Sequence, residues 1–187
     1  MKILAALLVF LAGCGGCASV PQESSPRGAT LRLEYTDGGI CSGTAVGRRV
    51  ILTATHCMEG GDLSVVNGQV VQVTDREDDG KDHTLLWVSI EFSEVATIGG
   101  TLKEGDAVEY WGNPGGLPIQ YRRGVVSGEA KGATLIDVTG WKGDSGAGVF
   151  KNGQLVTSIT GLYERNSFGL MVVFPLEFTP QQLERII

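Results

Sequence analysis

Histidine is scarce: the 187 residues hold two, His56 and His83. Any chemistry that needs an imidazole base near neutral pH has only those candidates. Positive charge is also short, with 15 Lys and Arg against 21 Asp and Glu and a net charge of −6. That balance excludes a nucleic-acid backbone as the main partner, because phosphate binding needs a surplus of cations. No apolar run approaches the roughly 18 residues of a membrane-spanning helix. Long stretches of helical periodicity are missing too. In their place stand 28 glycines spread along the chain, which suggests many turns joining short strands. The remaining composition, 42% hydrophobic and 19% charged, is that of a folded globular chain. Its length suits one sizeable domain or two small ones sharing a cleft.

The first residues read as an address. Lys2 precedes an apolar run from Ile3 to Leu11, and the run ends in Leu11-Ala12-Gly13-Cys14. This resembles the lipobox of bacterial lipoproteins. The resemblance implies a signal peptide over residues 1–13 and lipidation of Cys14, with a plain secretory signal cut near Ala18 as the alternative. It also implies an exported protein in the bacterial cell envelope, facing the periplasm or the exterior and held to the membrane by lipid at Cys14. Residues 14–28, rich in Gly, Ser and Pro, read as a flexible tether.

Cysteine is limited to four residues, Cys14, Cys17, Cys41 and Cys57. In an oxidising envelope Cys41 and Cys57 read as a disulfide. The competing idea is a metal site using Cys41, Cys57 and His56. Adjacent His56 and Cys57 cannot easily aim at one ion, and no further ligand cluster exists, so neither a metal nor a cofactor is expected.

Strand signals fill the rest. Leu31–Tyr35, Cys41–Val46, Val50–Ala54, Leu63–Val66, Gln69–Val73 and Thr84–Ile90 make a first set, with Asn67-Gly68 as a hairpin turn. Asp75–Lys81 reads as a charged loop. Ala107–Trp111, Tyr121–Val126, Thr134–Val138, Gly148–Phe150, Gln154–Thr160 and Gly169–Phe174 make a second set. Pro180–Ile187 reads as a helix, with Thr179 as N-cap and Gln182 three residues later. The expected fold is all-β, with two small antiparallel β-barrels over residues 29–100 and 101–187 and a short C-terminal helix.

Ser145 lies in Gly143-Asp144-Ser145-Gly146-Ala147-Gly148. A serine hydroxyl is a weak nucleophile, so it needs a base within reach and donors for the oxyanion it creates. Taken alone the string is also an ordinary β-turn. It does not stand alone. TATHC around His56, DHTLLWV after Asp82, and GDSGAGVF around Ser145 together resemble the motifs of the chymotrypsin-fold serine peptidases. The order His56, Asp82, Ser145 is that of this fold. CSGTAVGRRVILTATHC resembles the family's bracketing disulfide. Gly112-Asn113-Pro114-Gly115 with Arg123-Gly124-Val125-Val126-Ser127-Gly128 is similar to bacterial high-temperature-requirement peptidases.

The resemblance implies a serine endopeptidase acting on polypeptides. His56 would be the base, Asp82 its orienter, and the N–H groups of Gly143 and Ser145 the oxyanion donors. Asp75, Asp78 and Asp79 rival Asp82, but they stand in the acidic stretch where solvated charge is the default; Asp79→Asn is expected to be close to neutral. His83 is expected to be an exposed or edge-strand residue. Thr160-Gly161-Leu162 would pair with the substrate backbone. Thr139, Leu162 and Met171 would surround an uncharged specificity pocket, and Trp141 would cap it or pack in the core. No Ile-Val-Gly-Gly-like segment precedes Cys41. Asp144 must therefore find donors other than a freed ammonium, or stay partly exposed. A monomer is expected. An esterase or acyl transferase on the same triad, and an inactive binding module, are the alternatives.

Overall fold

The computed structural model describes residues 25–165 and 168–186. The signal, tether and lipidation readings at residues 1–24, including Cys14 and Cys17, lie outside the described residues. Among the described residues no helix is long and apolar enough to cross a membrane.

Seven strands form the first sheet: β1 Thr30–Tyr35, β2 Ile40–Gly47, β3 Val50–Ala54, β4 Leu63–Val66, β5 Gln69–Val70, β6 Val73–Asp78 and β7 His83–Val88. Their order is β5-β4-β1-β2-β3-β7-β6. Six more form a closed barrel: β8 Ala107–Gly112, β9 Gln120–Ala130, β10 Ala133–Asp137, β11 Gly148–Lys151, β12 Gln154–Arg165 and β13 Phe168–Val173. This is the two-barrel architecture expected from the sequence, with the first sheet curled but open at the β5 and β6 edges. A short helix, α1 Pro180–Glu184, closes the described chain.

Turn chemistry sets the register where the sequence signalled it. Asn67 and Gly68 take φ of 49° and 82°, and Asn152 and Gly153 take 53° and 79°. Two successive left-handed residues match the twist of the flanking strands, which Asn and Gly tolerate best. At α1 the Thr179 hydroxyl accepts from Gln182 N–H and the Gln182 side chain accepts from Thr179 N–H, a reciprocal capping box.

One segment departs from expectation. Asp75–Lys81 is not all loop: residues up to Asp78 belong to β6 and pair with β7, Arg76 opposite Leu86 and Asp78 opposite Thr84. A charged strand suits a sheet edge, where Arg76 and Asp78 form an ion pair and discourage pairing with another chain.

Each half has its own core. Leu33, Ile51 and Leu86 are fully buried in the first, and Val149, Ile159 and Met171 are buried in the second. A third cluster joins them, in which Leu52 and Leu85 of the sheet meet Phe150, Leu155 and Phe178. Burying such side chains contributes about 1.5–3 kcal/mol each. The joint core therefore fixes how the ends of β3 and β7 face the loop before β11.

Candidate active site

The β3–β7 register sets Ala54 opposite His83, so the residues just beyond the ladder, 55–56 and 82, meet at its end. Thr55 N–H donates to the Asp82 carbonyl at 3.0 Å. Thr55–Met58 then makes one 3₁₀ turn, which turns His56 toward the barrel. Asp82 accepts twice from His56: Oδ1 from the backbone N–H at 2.9 Å and Oδ2 from Nδ1 at 2.7 Å. An ionised carboxylate can only accept, so Nδ1 carries the proton. Nε2, 2.9 Å from Ser145 Oγ, presents its lone pair to the hydroxyl. The Asp82 hydrogen bond and charge raise the His56 pKa above its ordinary value, against the opposing effect of burial.

Ser145 is held by a loop that only glycine permits at two points. Gly143 has φ of 99°, and a Cβ there would lie 2.3 Å from the Asn113 carbonyl oxygen. Gly146 has φ of 81°, and a Cβ there would meet Ser42 O and Thr53 Oγ1 at 2.3 Å. The loop is pinned from both halves. Ser42 N–H donates to Ser145 O at 2.8 Å, Gly115 N–H to Lys142 O at 2.6 Å, and Gly146 N–H to Ile159 O at 2.7 Å. In a trans peptide the N–H points opposite to its carbonyl, so fixing Lys142 O turns Gly143 N–H the other way. Among the described residues, the N–H groups of Gly143 and Ser145 donate to no protein acceptor. Ala147 is fully buried, its N–H donating to Asp144 O and its carbonyl accepting from Ile159 N–H.

Among the described residues Asp144 finds donors other than an ammonium. It is fully buried; Oδ2 accepts from Trp141 N–H at 3.0 Å and lies 3.4 Å from the Tyr110 hydroxyl. Burial raises its pKa, while the Trp141 bond, the Arg122 guanidinium and Tyr110 pull it back.

A cavity of about 120 Å³ opens beside Ser145, bounded by Thr160, Gly161, Leu162 and Met171, with Trp141 at its rim. Its floor is filled. A Cβ on Gly140 would lie 1.8 Å from Met171 Sδ and 2.9 Å from Leu162 Cδ2. Thr139 does not join this lining. It faces a separate 430 Å³ cleft with Trp141 and Leu117, because Met171 fills the space beneath Gly140 and Tyr110 OH holds the Thr139 carbonyl. Trp141 is not a core residue; it is 62% exposed between the two cavities.

Two further expectations are corrected. His83 is fully buried on β7, the strand between β3 and the edge strand β6, and is neither exposed nor on an edge strand. The Asp79 side chain is equally buried against it and is no solvated charge. A hydrogen-bonding partner four residues away satisfies both side chains in the interior. The sequence signal was the i,i+4 spacing of Asp79 and His83. The roles of Ser42 and Asn113 had no local signal, since they act across the two halves, and Arg122 reaches Asp144 from a strand distant in sequence within the second barrel.

Cys41 and Cys57 form a disulfide, with sulfurs 2.04 Å apart, tying β2 to the histidine turn. Among the described residues no three His, Cys, Asp or Glu side chains gather as a metal site would need.

The family model of the trypsin-like peptidase domain matches residues 41–157, a span that holds His56, Asp82 and Ser145. No curated protein matches the chain. Among solved structures, the Rv3671c protease from M. tuberculosis in its inactive form superimposes with a TM-score of 0.68 at 16% identity, over 86% of this chain and 90% of that one. Its active form gives 0.68 at 17% identity, over 84% and 79%. The serine endoprotease from Yersinia pestis gives 0.69 at 21% identity, over 88% of this chain and 64% of that one. These likenesses establish the shared chymotrypsin-like fold. With the family match covering more than half its length, the chain belongs to the trypsin-like peptidase domain family.

Proposed function

We propose that this protein is a serine endopeptidase anchored in the cell envelope, acting through Ser145, His56 and Asp82. The observation that carries the reading is the unbroken line from Asp82 through His56 to Ser145, at 2.7 and 2.9 Å, beside two unengaged N–H groups. His56 Nε2 takes the Ser145 proton as Oγ attacks the scissile carbonyl. Asp82 stabilises the imidazolium, and the N–H groups of Gly143 and Ser145 take the oxyanion. The imidazolium returns its proton to the leaving amine. Water, activated in the same way, then releases the acyl group from Ser145.

The substrate reading rests on β12. Its pairing with β11 ends at Ser158, yet the strand runs on to Arg165 paired only with β13. Thr160–Leu162 therefore offers backbone along the cleft to which an extended peptide adds as a strand. The filled pocket floor suits a small apolar side chain at the cleaved residue. The envelope reading rests on the Leu11-Ala12-Gly13-Cys14 motif.

Three measurements test the proposal. A fluorophosphonate probe should label Ser145, and no labelling would leave an inactive module. A peptide-library digest should show cleavage after small residues, whereas ester turnover without peptide cleavage would favour an esterase. Cys14→Ala should abolish membrane partitioning.

A further inference from the structure

The backbone at Asp82 is unusual. Its φ is 67°, a left-handed conformation that is uncommon for a residue with a side chain, though Asp tolerates it better than most. Both Asp82 bonds to His56 depend on it, because the loop must carry the carboxylate over the end of β3.

Asp79 bonds to the backbone on both sides of Asp82. Its Oδ1 accepts from Lys81 N–H at 2.7 Å and His83 N–H at 3.2 Å, two bonds that straddle Asp82. Its Oδ2 accepts from Glu177 N–H at 3.0 Å and lies 2.7 Å from His83 Nδ1. Asp79 N–H in turn donates to the His83 carbonyl at 3.1 Å. Residues 79–83 thus form a closed loop around one buried carboxylate, with Gly80 (φ 77°) and Asp82 as its two left-handed residues. A carboxylate with these contacts is acceptor-only, so His83 Nδ1 donates to it.

The other face of the imidazole reaches the second barrel. His83 Nε2 lies 3.3 Å from Thr157 Oγ1 on β12, and that hydroxyl donates to the Phe174 carbonyl. The same buried pair therefore touches the aspartate loop, β12 and the chain leading to α1. Neither Asp79 nor His83 reaches the cavity beside Ser145.

We propose that Asp79 and His83 are positioning residues for the peptidase reaction, a buried clamp that holds Asp82 in its left-handed conformation and so aims its carboxylate at His56. The inference rests on the triad reading above. It gives the chain a second Asp–His pair, next to the first in sequence, whose task is geometry.

A mutant cycle tests it, read as kcat and KM on one peptide substrate. Asp79→Asn should lower kcat roughly tenfold to a hundredfold, as small misplacements of catalytic groups do, with KM little changed. The acid limb of its pH–rate profile should move to lower pH, because His56 loses part of the Asp82 bond that raises its pKa. In an Asp82→Asn background, Asp79→Asn should cost nothing more, since the group it positions is already disabled. Equal losses in both backgrounds, with an unmoved acid limb, would overturn the clamp. If Asp79→Asn loses its thermal transition, the cycle is run with His83→Leu and His83→Asn. The Asn variant, which keeps a donor near the place of Nδ1, should recover kcat that the Leu variant loses, and equal kcat in the two overturns the idea. A wild-type chain that neither takes the fluorophosphonate nor cleaves peptide refutes the peptidase reading instead, a result distinct from any outcome of the cycle.

Discussion

The Ser42 hydroxyl donates to the Gly143 carbonyl at 2.8 Å, from the first sheet to the loop that carries the nucleophile. Ser42 Oγ in turn accepts from Asn113 N–H at 2.9 Å. One small side chain therefore orders both walls of the proposed oxyanion site. In Ser42→Ala the buried Asn113 N–H loses its partner, which costs about 1–3 kcal/mol, and the Gly143–Asp144 peptide, which follows the one carrying the Gly143 N–H, loses its anchor on the first sheet. A fall in kcat of roughly tenfold or more is expected, with KM little affected, because oxyanion donors act on the transition state. Steady-state kinetics beside a thermal melt will separate the two effects. An unchanged kcat in a destabilised variant would show that Ser42 serves stability alone.

Replacing the triad should be far more severe. Ser145→Ala, His56→Ala and Asp82→Asn are each expected to lower kcat by on the order of 10⁴-fold, and the double variants should lose little more. The pH profile carries the sign. Activity needs neutral His56, and its pKa is raised by the Asp82 hydrogen bond. The acid limb of kcat/KM should therefore lie above the ordinary imidazole value of about 6.5. The charged His56–Asp82 pair contributes stability in full below that ordinary value, and the contribution is lost as pH rises through the raised one. Activity should thus climb over the interval in which this contribution fades. A limb at or below the ordinary value would contradict the short Asp82 bond.

Met171 is the test of selectivity. It is 1% exposed, with its sulfur under Gly140. Met171→Ala should deepen the cavity beside Ser145 and shift preference from small residues toward Leu or Phe. The buried truncation should also lower stability by about 2–5 kcal/mol. A peptide-library digest of both proteins reads the shift directly, and an unchanged profile would place the selectivity elsewhere.

Breaking the Cys41–Cys57 bridge should destabilise without abolishing chemistry. The bridge closes a loop of sequence separation 16, and such a closure contributes about 3 kcal/mol. Cys41→Ala with Cys57→Ala should lower the Tm while a reduced but measurable kcat persists in the folded fraction. A reduced wild type melting at the same temperature as the oxidised one would refute this.

The fold was legible because alternating apolar positions, paired Gly turns and a reciprocal cap are local facts, carried by runs such as Val50–Ala54 and the Asn67-Gly68 turn. The three residues now found in line were legible through flanking motifs. What stayed hidden was pairing across distance. The Asp75–Asp78 half of β6 looked like loop because an edge strand tolerates a run of charged residues. Asp79 and His83 looked exposed because each, read alone, is a polar residue in an acidic stretch. Only the fold shows that they hydrogen-bond to one another in the interior. Thr139 was misplaced for a similar reason: position along the chain fixed its distance from Ser145 and said nothing of Met171 filling the space between.

Asp144 yields the last prediction. It is fully buried, its Oδ1 has no hydrogen-bond partner among the described residues, and burial holds its pKa above the ordinary carboxylate value. A carboxyl whose folded pKa is raised favours the folded state below its unfolded pKa, and that advantage is lost as pH rises through the folded value. At neutral pH the buried charge is a cost, relieved by the Trp141 N–H and by the nearby Arg122 guanidinium. Arg122→Met keeps the length of the side chain and removes the cation. The Asp144 pKa should then rise further, and the variant should lose more Tm than the wild type on going from about pH 4 to pH 8. Activity should fall along the same axis, because Asp144 and its neighbours order the Gly143 peptide. Melting curves at the two pH values decide the matter: parallel losses in variant and wild type would mean that Arg122 gives Asp144 no electrostatic support.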